Sequence, residues 1–133
     1  MPALAISKGV AISPRKVSVV AALVRGRSVA DALVILNHTP RRSAIAVKKT
    51  ILSASANADR NHGYKPGTLN ITEISVTPGP RSKRFRPVSR GRAHRYMHRS
   101  SHIRVVVDGQ KRETKVKPPV NKTSDAKKSE GDK

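Results

Sequence analysis

"TLNITEISVTPGPRSKRFRPVSRGRAHRYMHRSSHIRVVVD", residues 68 to 108, places a long basic run between two apolar, alternating ones. Leu69 and Ile71 alternate, and then Ile74 and Val76 alternate in the opposite phase. That slip predicts a bulge near Glu73 or a strand apolar on both faces. Ile103, Val105 and Val107 line one face of a second strand. No helical crossover is evident between the strands, which favours an antiparallel pair. The intervening loop is roughly two dozen residues, and loops beyond about 15 are uncommon in compact domains unless they are functional or disordered. A hairpin extended beyond the globule over residues 78–102, with Ser89, Arg90, Gly91 and Arg92 at its tip, satisfies that constraint.

No acidic residue occurs between Glu73 and Asp108, while Arg81, Lys83, Arg84, Arg86, Arg90, Arg92, Arg95 and Arg99 accumulate. Ordinary solvated faces mix both signs of charge. Arginine predominates over lysine, as suits a planar group that grips phosphate bidentately and stacks on bases. Phe85, Tyr96 and Met97 interleave as stacking or anchoring surfaces. The whole chain of 133 residues carries 28 basic against 8 acidic residues, a formal charge of +20. Such a globule repels itself until a polyanion neutralises it. Nucleic acid is the leading partner, and an anionic membrane surface is the weaker alternative.

Outward from this stretch, the N-terminal half is helical. The first segment alternates weakly, with Leu4 and Ile6 on one side of a short strand. A first helix follows, with Ser13 as N-cap, Pro14 at its first position and Val17, Val20, Ala21 and Val24 as its buried stripe. Gly26 ends it in left-handed geometry. Ser28 and Asp31 begin a second helix in the manner of a capping box, with Val29, Ala32, Leu33 and Leu36 inward. The third and longest is expected to start with Thr39 as cap and Pro40 at its first position. Ala44, Val47, Ile51, Ala54 and Ala58 form its inner face, and the small residues admit a close neighbour. With only 2% aromatic residues, the core is aliphatic.

Residues 1–109 therefore read as one domain that includes the hairpin, and 110–133 as a basic, low-complexity, disordered tail. No stretch reaches the roughly 18 apolar residues of a membrane span. The start "MPALAISKGVAIS" lacks the basic region and apolar length of a secretory signal. There are no cysteines, hence no disulfide framework, zinc ribbon or thiol nucleophile. These features fit the cytoplasm.

Other chemistries fit less well. His94, His98 and His102, spaced by four, would align on a helix, but Gly91 weakens a helix there and no acid or cysteine completes a metal site. No metal or cofactor is expected, and stacking or hydrogen bonding to RNA suits these imidazoles better. Asp31, Asp59 and Glu73 are scattered, each with a structural role, so no catalytic residue is assigned and the protein is not read as an enzyme. An architectural DNA-binding protein with a basic β-arm is the principal rival. Its arm would carry a wedge residue at the tip, where this chain has Ser-Arg-Gly-Arg.

"RGRAHRYMHRSSHIRVVV", "ISPRKVSVVAALVRGRSVADALVILNHTPRRSA" and "ILSASANADRNHG" resemble the L-twenty-two family of large-subunit ribosomal proteins, bacterial type, in the same order. The resemblance spans about residues 3–108. It implies an α+β fold, with three helices packed on a small three-stranded antiparallel sheet from which a long basic β-hairpin projects. It also implies a structural constituent of the large ribosomal subunit that binds large-subunit rRNA, supports assembly and lines the nascent-peptide exit tunnel with its hairpin. By matched position, Arg15 and Lys16 are rRNA contacts of the globular part, and Arg81, Lys83, Arg84, Arg86, Arg90, Arg92, Arg95 and Arg99 those of the arm. Ser89, Arg90, Gly91, Arg92 and Ala93 form the tunnel-lining tip. The implied partners are rRNA, neighbouring ribosomal proteins and the nascent polypeptide, with no membrane and no homo-oligomer. Two features depart from the family pattern: Val88 stands where a basic residue is common, and the lysine-rich tail runs past the usual end.

Overall fold

A computed structural model describes residues 2–112, so most of the expected tail lies outside the described residues. The elements run β1 (Ala3–Val10), α1 (Pro14–Val24), α2 (Val29–His38), α3 (Arg42–His62), a single 3₁₀ turn (Pro66–Thr68), β2 (Asn70–Pro87) and β3 (Ala93–Asp108). The sheet has the order β1-β3-β2, and both pairings are antiparallel. This is the expected α+β architecture, with α1 and α3 packed on the sheet and α2 packed against those two helices.

The core lies between the central strand and the helices. Ile103, Val105 and Val107 of β3 are fully buried, against Val17, Val20 and Val24 of α1 and Val47, Ile51, Ala54 and Ala58 of α3. Ile71 and Ile74 of β2 are both buried although they are three apart. The register shifts between Ile71 and Glu73, so Thr72 is the extra residue and returns both isoleucines to one face. The Thr72 hydroxyl donates to the Val106 carbonyl at 3.1 Å, which occupies the widened gap.

In β1 the two larger residues share a face, but it is the outer one: Leu4 and Ile6 are 40% and 49% exposed, whereas Ala3 and Ala5 are buried. The helix α3 packs on this strand, and Asn57 Nδ2 donates to the Leu4 carbonyl at 2.9 Å. Alanines on both partners, including the buried Ala54 and Ala58, permit that approach.

The helix starts differ in their caps. Ser28 Oγ accepts from the Asp31 amide at 3.1 Å, as the sequence predicts. The Asp31 carboxylate, however, accepts from the Ser28 hydroxyl at 2.7 Å in place of the backbone amide that a capping box uses. Ser13 occupies the N-cap of α1 with extended backbone, but its side chain makes no cap bond. Thr39 is not the cap of α3. It closes α2, its hydroxyl donating to the Ile35 carbonyl at 2.7 Å, and α3 begins at Arg42 with Arg41 as N-cap. A residue before proline is pushed out of helical geometry, so Thr39 stays extended and Pro40 becomes a spacer.

The turn between α1 and α2 is stitched to β2. Gly26, at φ +73°, donates its amide to the Ile71 carbonyl at 3.1 Å, and the Ile71 amide returns to the Arg27 carbonyl at 2.9 Å. Beyond β3 the chain is pinned to the end of α3. The Lys65 amide donates to the Gln110 carbonyl, the Arg112 amide donates to the Gly63 carbonyl, and Arg112 pairs with Asp59 at 2.7 Å.

Candidate nucleic-acid interface

The last pairing of β1 with β3 joins Val10 to Ser101, and beyond it β2 and β3 continue as a two-stranded arm from Arg81↔Arg99 to Pro87↔Ala93. Every residue from 81 to 95 is exposed. A bulge marks the root, where Gly79 and Pro80 oppose Ser100 alone, and Ser100 Oγ donates to the Pro80 carbonyl at 2.6 Å. At the tip, Arg90 and Gly91 both have positive φ, 60° and 69°, the sign pattern of a tight turn that suits twisted strands. The Arg92 amide donates to the Ser89 carbonyl at 3.4 Å across the turn, and the Val88 amide donates to the Arg92 carbonyl at 2.9 Å just below it.

Strand alternation sorts the predicted contact residues into two faces. Arg81, Lys83 and Phe85 share one face with Arg95, Met97 and Arg99 across the ladder. Arg84 and Arg86 share the other with His94, Tyr96 and His98. Each face carries one aromatic ring with a guanidinium over it. The Arg95 guanidinium lies 5.9 Å from the centroid of Phe85, and that of Arg86 lies 5.6 Å from Tyr96. His98 meets Tyr96 edge-on at 5.2 Å. Phe85 stays 64% exposed, a ready platform for a base.

The three histidines do not gather. On a strand, residues four apart are separated by about 13 Å, so the helical alignment is never formed. His102 serves the fold instead: its Nδ1 accepts the Gly9 amide at 3.0 Å, tying β1 to the foot of the arm.

Arg15 and Lys16 stand in the first turn of α1, both exposed. Lys16 faces a hollow of about 560 Å³ shared with Arg41, Arg42 and Ser43 at the start of α3, and with Met97, His98 and Arg99 of β3. Arg15 does not line it. The buried Ser43 donates from Oγ to the Lys16 carbonyl at 3.3 Å and so holds the two helix starts together. Neither first turn contains an acid. Sequence reasoning missed Arg41 and Arg42. The signal was present as adjacent arginines opening a helix with no acid to balance them. Other cations serve the fold: Arg25 Nη2 donates to the Ile74 carbonyl at 3.1 Å, and Arg27 Nε to the Leu23 carbonyl at 3.0 Å.

Comparison with known proteins agrees with this geometry. Residues 5–108 match the family model described as Ribosomal protein L22p/L17e. The chain is 47% identical over 107 residues to the large ribosomal subunit protein uL22 of Clostridium tetani, covering 80% of this chain and 96% of that protein. It is also 47% identical over 111 residues to the uL22 of Oceanobacillus iheyensis, covering 84% of this chain and 98% of the relative. The matched span takes in most of β1, the three helices and the whole of the projecting arm, and the chain belongs to the ribosomal protein L22p/L17e family.

Proposed function

We propose that this protein, a non-enzymatic structural constituent of the large ribosomal subunit, binds large-subunit rRNA through its arm and the adjoining end of its body. In this proposal it supports subunit assembly, and Ser89, Arg90, Gly91, Arg92 and Ala93 form part of the wall of the nascent-peptide exit tunnel. The observation that carries it is the arm itself: eight cations and no acid over residues 81–99, with every side chain exposed over residues 81–95, on a self-paired two-stranded ladder. Once buried in a complex, guanidiniums at this density need phosphate or base acceptors, and rRNA supplies both. The body fixes orientation, and the arm reaches between phosphates towards neighbouring ribosomal proteins and the nascent chain. The protein's contribution is geometric, since a positioned arm shapes a channel without making or breaking bonds.

The test is fractionation of cells expressing a tagged copy, with a high-salt wash and sequencing of the retained RNA. Co-migration with the large subunit, enriched for its rRNA, is the expected result; recovery with chromosomal DNA overturns it in favour of a DNA-binding arm. In vitro, about eight phosphate contacts give a log–log salt slope of about −5.6 with the single-strand coefficient of about 0.7 per contact. A slope near −2 excludes the extended-arm mode.

A further inference from the structure

We infer that the root of the arm and the paired starts of α1 and α3 form one continuous trough for a run of consecutive RNA backbone phosphates, so that a single RNA segment grips body and arm together and sets the angle between them. This rests on the rRNA-binding proposal and names the surface that performs it.

The hollow beneath Lys16, Arg41 and Arg42 does not end at the body. A second hollow of about 490 Å³ runs along the arm past Pro80, Ser82 and Arg84, and the two share Ala11, His98 and Arg99. Cations from three separately placed elements therefore line the joined hollows: Lys16 of α1 and Arg42 of α3 the first, Arg84 the second and Arg99 both. The path thus passes around the edge of the arm from the face of Arg99 to that of Arg84. No carboxylate lines either hollow, and among the described residues none of these four cations has an acidic partner. The acids lie elsewhere. Asp59, paired with Arg112, sits near the far end of α3, some 25 Å from Arg42 at about 1.5 Å per residue. Small residues such as Ala11, Ser13 and Ser82 along the path leave room for a backbone to approach.

Two hollows joined end to end suit a strand better than a single anion, because Arg42 lines only the first hollow and Arg84 only the second. The path also passes the bulge at Gly79 and Pro80, where the arm leaves the sheet. A strand held on both sides of that joint restrains the arm's direction, whereas contacts confined to the tip leave the joint free.

The experiment uses the full chain and a large-subunit rRNA transcript. Lys16→Gln, Arg42→Gln and Arg99→Gln are made singly and together, beside Arg90→Gln/Arg92→Gln at the tip and Lys49→Gln/Arg60→Gln on α3 as controls. Because the chain has no cysteine, Ser89→Cys carries a tethered iron chelate whose radical cleavage maps the tip on the RNA. All the substituted side chains are exposed, and circular dichroism with thermal unfolding verifies the fold of each variant. The expected result is a salt slope shallower by about 2 in the triple variant, at about 0.7 per lost phosphate contact, together with dispersed cleavage from an unaltered tip. Unchanged slope and cleavage in the triple variant, with binding weakened by the tip substitutions, overturns the trough and leaves the rRNA proposal standing. If neither set weakens binding more than the controls do, both fall.

Discussion

Arg81 and Arg99 stand directly opposite each other, the first cross-strand pair of the arm beyond its bulged root. Opposed side chains in an antiparallel pair lie about 5 Å apart at Cβ, and like charges there destabilise the pairing by roughly 0.2–1 kcal/mol. The protein thus keeps at the foot of its arm a repulsion that an anion placed between the guanidiniums converts to attraction. Arg81→Gln is expected to slow amide exchange of Ser82 and Met97 in the free protein while weakening binding to large-subunit rRNA. If exchange accelerates, the two guanidiniums do not repel and the pair is structural.

Two serines at helix starts separate cap geometry from cap position. Ser28 satisfies the Asp31 amide and bonds its carboxylate, whereas the Ser13 side chain bonds no amide of α1. Ser28→Ala is expected to cost about 1 kcal/mol in urea unfolding, within the ordinary range for a lost N-cap. Ser13→Ala is expected to cost only a few tenths, as for a surface substitution away from such features. Equal losses at the two positions contradict the difference in hydrogen bonding.

Tyr64 gives stability a defined alkaline limit. Burial pushes its phenol above the ordinary value of 10.0, and the neighbouring Asp108 carboxylate, to which it is hydrogen-bonded, pushes in the same direction. A folded-state pKa above the unfolded one favours folding fully below the unfolded value, and that contribution is lost as pH rises through the folded value. The wild-type protein is therefore expected to exceed Tyr64→Phe in stability at neutral pH, with the two curves converging above about pH 10. Parallel curves through that window show that Tyr64 is not titrating against the fold.

Periodicity alone reveals the inner face of α3, because Val47, Ile51, Ala54 and Ala58 have one helical solution and all four are buried. The phase slip between Ile71 and Ile74 likewise marks the bulge that the strand contains. Where two local solutions compete, sequence does not decide. Thr39 before Pro40 has the form of a helix start, yet its hydroxyl finds the Ile35 carbonyl behind it and closes the preceding helix. Alternation in β1 separates Leu4 and Ile6 from Ala3 and Ala5 but does not say which pair faces α3, since all four are apolar. The same division holds for the interface. The arm is legible because its cations are contiguous in sequence. The trough is not, since Lys16, Arg42 and Arg99 come together only when α1, α3 and β3 pack.

The joint of the arm depends on one missing side chain. A Cβ on Gly79 would lie 2.6 Å from Ser100 Oγ, closer than real Cβ contacts come, and a tight 3.2 Å from the Ser100 carbonyl carbon. The Ser100 hydroxyl is engaged at that place, donating to the Pro80 carbonyl at 2.6 Å across the bulge. Gly79→Ala must displace this hydroxyl, so it is expected to lose a hydrogen bond worth about 0.5–1.5 kcal/mol and to loosen the root. Ser100→Ala removes the same bond without crowding. The two effects are therefore coupled, and adding Gly79→Ala to Ser100→Ala is expected to cost less than adding it to the wild-type protein. Urea unfolding of the four proteins measures that coupling, and amide exchange at Arg81 and Arg99 shows where it acts. Strict additivity would falsify the contact between Gly79 and Ser100 as the device that sets the arm's root. With the expected coupling, the loosened variants should also bind large-subunit rRNA less tightly, although none of their phosphate-binding side chains has changed.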